Sequence, residues 1–235
     1  DTRQAPPAPH LPDSPAVAPV TPHAPRITQP AALVSAKPPR GTRRSALHWL
    51  RPLDKQLFLL AGIVFALTRL IGLERWPIYF FTDEAVNPLL AATFIRSGFT
   101  DGAGHLFPTY FANGQYLSLS TSVYAQVIPY ALFGFSVFVT RAVPALIALS
   151  GTLAIGLMLR DIFKLRFWWI GTLLLSITPT WFLHTRTAFE HPLWVAFYAW
   201  FLYFYLRYRT DKPRHLLTAF VFGALSFYSY TGAQL

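Results

Sequence analysis

Six apolar runs succeed one another along the chain, at 56–73, 121–139, 142–159, 167–183, 192–206 and 216–230. A helix crosses the bilayer core with about 20 residues, within a range of about 17–25, and most of these runs are close to that length. Such a series constrains the fold more than any other feature of the sequence. Charged residues make up only 13% of the chain and hydrophobic residues 53%, with a mean hydropathy of +0.37. A soluble domain carries about 25% charged residues, so lipid is expected to solvate much of this surface. The fold class that follows is all-α: a polytopic transmembrane helical bundle of about five spans.

The net charge of +10 does not point to nucleic acid, because the basic residues cluster beside apolar runs, where membrane topology is set. With no cysteine in the chain, neither a disulfide framework nor a thiolate nucleophile or metal site is available. Residues 1–45 are rich in Pro and Ala and lack any apolar period. They are expected to form a disordered tail, placed in the cytoplasm by Lys37, Arg40, Arg43, Arg44, Arg51 and Lys55. Residues 46–235 read as the N-terminal part of a transmembrane domain. Its last run closes on Tyr228-Ser229-Tyr230-Thr231 and ends at Leu235 without a flanking loop, as a truncated chain would.

Charge parity selects the runs that cross. Arg160, Lys164 and Arg166 form one basic cluster and Arg207, Arg209, Lys212 and Arg214 another, with the runs 167–183 and 192–206 between them. Both clusters therefore lie on the side of the tail, and an even number of spans must separate Lys55 from Arg160. Three runs occur there, so one does not cross. The run 121–139, with Tyr124, Gln126, Pro129, Tyr130 and Gly134, reads as an amphipathic or re-entrant helix at the outer interface. An outer loop from about 74 to 137 results. Arg69 and Arg141 fall near span ends, where long side chains snorkel toward water.

Acid–base chemistry on the outer side must draw on Glu74, Asp83, Glu84, Asp101 and Glu190, or on His105, His184 and His191. Asp83-Glu84 opens a helix-like stretch after Trp76 to Thr82. The pair serves either as a helix cap and first-turn acid or as catalytic carboxylates at the membrane surface. The segment His184 to His191 joins two spans, and Arg186 and Glu190 stand four apart. Two readings remain open there: a mutual salt bridge, or Arg186 holding an anion. On one straight helix His184 and His191 would lie about 10 Å apart, too far to share a metal. The loop Thr100 to Phe111, with Gly102, Gly104 and His105, reads as a turn between two interfacial helices or as a ligand contact.

In order along the chain stand Phe81-Thr82-Asp83-Glu84-Ala85, Gly104-His105-Leu106-Phe107-Pro108-Thr109-Tyr110-Phe111 and Phe133-Gly134-Phe135-Ser136-Val137-Phe138-Val139-Thr140-Arg141. Ser176-Ile177-Thr178-Pro179, Thr185-Arg186-Thr187-Ala188-Phe189-Glu190 and Tyr228-Ser229-Tyr230-Thr231 follow. From about residue 56 to 235 this pattern resembles the GT-C glycosyltransferases, nearest the bacterial protein-mannosyltransferase-like and aminoarabinose-transferase-like branch. The resemblance implies an enzyme of the inner or plasma membrane with its active site on the extracytoplasmic side. Its donor would be a polyprenyl-phosphate-linked sugar, and its acceptor a hydroxyl of a protein, lipid or glycan. Asp83 would be the general base, and Glu84 would support it or fix the loop. Arg186 would hold the lipid phosphate, with Glu190, His105 and Tyr230 as further substrate contacts. Oligosaccharyltransferases of the same superfamily place two close carboxylates in the second outer loop as metal ligands, whereas Glu190 stands between Phe189 and His191. No cofactor is fixed by this pattern, and a divalent metal remains an open alternative. The rival class is a non-catalytic polytopic protein such as a transporter or scaffold. Transporters usually set ionisable groups near the bilayer midplane, whereas the polar groups here gather in the outer loops.

Overall fold

The computed structural model describes residues 50–210 and 212–234; the tail at 1–45 lies outside the described residues. The described chain is mainly helical. Its elements are α1 (Leu50–Leu70), α2 (Thr82–Arg96), α3 (Ser120–Phe133), α4 (Val137–Asp161), α5 (Trp169–Ile177), α6 (Pro179–His184), α7 (His191–Thr210) and α8 (His215–Phe227). Strands β1 (Tyr110–Asn113) and β2 (Tyr116–Leu119) lie between α2 and α3, and a short 3-10 turn (Thr231–Ala233) follows α8. Helix α1 packs on α4 and α5, α4 on α7, α7 on α8, and α2 on α3.

Among the described residues one helix, α4, is long and apolar enough to cross a membrane by length and composition. Two of the expected spans differ from continuous crossing helices. The run 167–183 is broken at Thr178, whose ψ of 118° is extended and whose successor Pro179 opens α6. Proline disfavours a helical residue before it and suits a first helical turn, so one apolar run yields two short helices. The run 216–230 gives only the 13 residues of α8, roughly 20 Å at about 1.5 Å per residue. The run 121–139 divides at Gly134, which takes the left-handed φ of 73° after α3. Ser136 then caps α4 by accepting the Val139 N–H at 3.1 Å.

The loop 100–111 holds the expected turn, with the Gly104 N–H donating to the Asp101 carbonyl and Thr100 bridged to Leu106, and it runs on into a hairpin that was not expected. Tyr110 pairs with Leu119, Phe111 with Ser118 and Asn113 with Tyr116, antiparallel. Gly114, with φ 59°, supplies the backbone a two-residue hairpin turn demands. Phe111 joins Ala91, Phe94 and Val123 in a small apolar core that binds α2, the hairpin and α3 together.

Small residues hold many of the buried positions between the helices. Buried positions are held by Ala61, Ala145, Ala148, Ala154, Ala196 and Ala199, with Thr140, Thr152, Thr172 and Ser176. A Cβ added at Gly151 would meet the backbone of Ala196, so α4 and α7 approach at a distance only glycine permits. Large apolar side chains point outward, among them Leu59, Ile63 and Leu67 on α1 and Leu217 and Phe220 on α8, the last two 72% and 74% exposed.

Candidate functional site

The acidic pair at the start of α2 is divided by its neighbours. Phe81 occupies the cap position, with Asp83 and Glu84 in the first turn; Asp83 is therefore not the cap. Glu84 is fully buried. Its oxygens accept from Arg141 Nε and Nη2, each at 2.8 Å, from the Ala188 N–H at 2.8 Å and from the Phe81 N–H at 3.3 Å. Arg141, also fully buried, donates to the carbonyls of Leu73, Pro77 and Tyr79. A bidentate, charge-assisted pair of this kind fixes geometry strongly. It ties the segment 73–84 to α4 and to the residues that precede α7.

Asp83, one residue earlier, is exposed and makes no hydrogen bond to the described residues. It lines a cavity of about 260 Å³ together with Val86, Asn87, Asn113, Ser118, Phe189, Glu190 and His191. Three parts of the chain supply the walls: the first turns of α2, the hairpin, and the start of α7. Burial, and then the charge of Asp83, push the Glu190 carboxyl up to about 7. Glu190 therefore exists in both protonation states near neutral pH, able to donate or accept. Carboxyl groups perturbed by burial and by a like charge in a cleft mark sites of proton chemistry.

Compared with known proteins, the chain matches no family model, no curated protein and no solved structure.

The other residues singled out from sequence divide between the cavity and its supports. Arg186 is buried and donates to the carbonyls of Thr68, Arg69, Ile71 and Trp76 at 2.6–3.2 Å. It closes the C-terminal end of α1, where free carbonyls need donors. Of the two readings open for Arg186, the ion pair with Glu190 does not form. Arg69 acts likewise at the end of α5, donating to Leu175 and Ser176 carbonyls and to Thr185 Oγ1. Arg69 and Arg141 are thus buried braces, and the expected snorkelling does not occur, because Arg69 reaches carbonyls at the end of α5 and Arg141 reaches Glu84 and carbonyls of the segment between α1 and α2.

His184 and His191 approach with ring centroids 5.5 Å apart, closer than a continuous helix allows. The chain turns between α6 and α7, which brings the two rings together. The Tyr230 ring packs at a tilt on His191, centroids 4.5 Å apart, and on Trp194 at 5.4 Å, so it borders the cavity through His191. His105 does not line the cavity; it is exposed, with Nδ1 at 2.9 Å from Asp101 Oδ2 in a loop that Asp101 organises through the Ala103 and His105 N–H groups. No group of three His, Cys, Asp or Glu converges as a metal site among the described residues. Asn87, Asn113 and Ser118 join the cavity without having been singled out from sequence. Only Asn87, four residues after Asp83 on the same helix face, carried a readable signal.

A second cavity, of about 820 Å³ and apolar, adjoins this end of the bundle. Leu67, Ile71, Trp76, Ile78, Phe182 and Leu183 line it, and Arg186 contributes to its wall. The segment 76–83 runs from one cavity to the other.

Proposed function

We propose that this chain belongs to an integral membrane glycosyltransferase that moves a sugar from a polyprenyl-phosphate-linked donor to an acceptor hydroxyl at the outer face. The observation that carries the reading is Asp83: an exposed carboxylate without a hydrogen bond to the described residues, in a polar cavity shared with Glu190 and backed by the Glu84–Arg141 pair. The apolar cavity beside it fits the hydrocarbon part of a lipid-linked donor. The exposed leucines and phenylalanines over a small-residue interior support a lipid-embedded bundle.

In this reaction the Asp83 carboxylate takes the proton of the acceptor hydroxyl as its oxygen attacks the anomeric carbon. The anomeric C–O bond to phosphate breaks, and its electron pair leaves on the phosphate oxygen. Glu84 cannot be the base while both of its oxygens are engaged; it positions Asp83. Arg186, whose N–H groups hold the end of α1, shapes the apolar cavity and takes no direct part in holding phosphate.

The accompanying topology has five crossings: α1, α4, the broken pair α5–α6, α7 and α8. Broken helices are tolerated in membranes where protein covers the freed backbone groups. Reporter fusions after Arg160 and Arg207 should report the cytoplasm, and fusions near Gly104 and His191 the outer side. An outer-side signal after Arg160 would require 121–139 to cross and would overturn the model.

A further inference from the structure

A third cavity, of about 420 Å³, lies where α4 and α7 end, away from Asp83; Asp161, Ile162, Lys164, Arg207 and Thr210 line it. This end of the chain's helices is basic, with three basic residues and one acid over 160–166 and four basic residues and one acid over 207–214. The carboxylate on the wall is matched already. Asp161 accepts from Arg160 Nε at 2.6 Å and Nη2 at 3.1 Å, from the Tyr203 hydroxyl at 2.8 Å and from Arg207 Nη1 at 3.4 Å. With Arg160 offsetting Asp161, Lys164 and Arg207 leave the wall net positive. The Lys164 ammonium makes no hydrogen bond or ion pair to the described residues. Its backbone takes the left-handed φ of 55°, in the bend where the Leu165 N–H returns to the Leu159 carbonyl at 3.0 Å. Glycine is the usual residue at such a helix end, and a side chain there is strained. A strained residue that is not glycine points to a task for its side chain, and this side chain stands on the cavity wall. The rim says what the anion is attached to. Phe163, Leu165 and Phe167 alternate with Lys164 and Arg166, and all three apolar side chains are exposed. A free phosphate has no use for such a rim, whereas a phospholipid sets its charged headgroup directly beside hydrocarbon. Basic pockets between membrane helices on the cytoplasmic side suit anionic headgroups.

We propose, resting on the lipid-embedded reading of the bundle and not on its sugar chemistry, that this cavity receives the phosphate headgroup of an anionic phospholipid. Lys164 and Arg207 hold the phosphate, and the acyl chains lie over Phe163 and Leu165.

Native mass spectrometry of the full chain in detergent tests it, with dioctanoyl-phosphatidylglycerol, dioctanoyl-phosphatidylcholine and inorganic phosphate as probes. The phosphatidylglycerol should bind at least roughly fivefold more tightly than either of the others, the effect of one Lys or Arg beside an anionic headgroup. Lys164→Gly should weaken it by about the same factor, while the melting temperature stays level or rises because glycine suits the left-handed φ. A lysine with only a structural role would instead let Lys164→Gly bind the lipid unchanged. Lys164→Gln, which keeps the chain length and loses the charge, should weaken binding alike. Arg214→Gln removes a charge from the same basic end but off the cavity wall, and should change binding less than about twofold, as a surface charge screened by solvent does. Phosphatidylcholine binding as tightly as phosphatidylglycerol would overturn the assignment, as would wild-type binding by Lys164→Gly or Lys164→Gln. An equal loss in Arg214→Gln would spread the attraction over the surface and remove the site. Inorganic phosphate binding as tightly as the lipid would give the cavity to a soluble anion and overturn the phospholipid. If Lys164→Gly does not fold, Lys164→Gln decides. Sugar transfer and the reporter fusions enter none of these outcomes, so this site fails separately from the reading it rests on.

Discussion

Asp83→Asn should lower turnover by roughly 10²–10⁴, the usual contribution of a positioned general base, while folded yield and donor binding change little. The amide keeps the shape of the side chain but cannot take the acceptor proton. The Asp83 side chain makes no hydrogen bond to the described residues, so its replacement breaks none there. Asn is also well tolerated near a helix start, which makes a stability loss hard to confuse with a catalytic one. The charge of Asp83 also contributes to raising Glu190 to about 7. In Asp83→Asn the Glu190 carboxyl should therefore titrate lower, a shift that carboxyl-selective NMR or infrared spectroscopy reads independently of turnover. Near-normal transfer by a well-folded variant would exclude Asp83 as the base.

Glu84→Ala should act on the fold. It strands the Arg141 guanidinium, fully buried, and removes the acceptor of the Ala188 and Phe81 N–H groups. Breaking one side of a buried ion pair typically costs about 3–5 kcal/mol, a large part of the roughly 5–15 kcal/mol that holds a domain together. Little folded protein is expected at physiological temperature. Arg141→Ala should be comparably damaging, and Glu84→Leu combined with Arg141→Met should be far less harmful than the two single losses added together. Thermal unfolding of the detergent-solubilised variants measures this. A Glu84→Ala protein that melts like the wild type would show that the pair does not brace the loop.

The contrast between these neighbours explains what sequence reveals about such a site. An acidic pair at the start of a helix after an aromatic stretch marks the place. Which member is free depends on Arg141, 57 residues further on, and on the backbone of Ala188, and no local pattern encodes that meeting. Arg186 shows the same limit: its spacing to Glu190 suggests a helical ion pair, yet it reaches back to carbonyls more than 110 residues earlier. Other differences had local signals of their own. Pro179 marks the break between α5 and α6, and Gly114, first of the two residues between the paired Asn113 and Tyr116, is a residue that suits a tight hairpin turn. The helical class followed from the apolar runs because hydrophobic patterning is a property of each segment alone. The cavity needed three segments at once.

Sugar transfer itself tests the central claim most directly. The full chain, reconstituted in nanodiscs, would be supplied with polyprenyl-phosphate-linked radiolabelled hexoses and with pooled protein, lipid and glycan acceptors. The expected result is label moving from the lipid phosphate to an acceptor hydroxyl, dependent on wild-type protein and lost with Asp83→Asn. Label that stays on every lipid-linked donor offered, or that moves equally well with Asp83→Asn, would contradict the account.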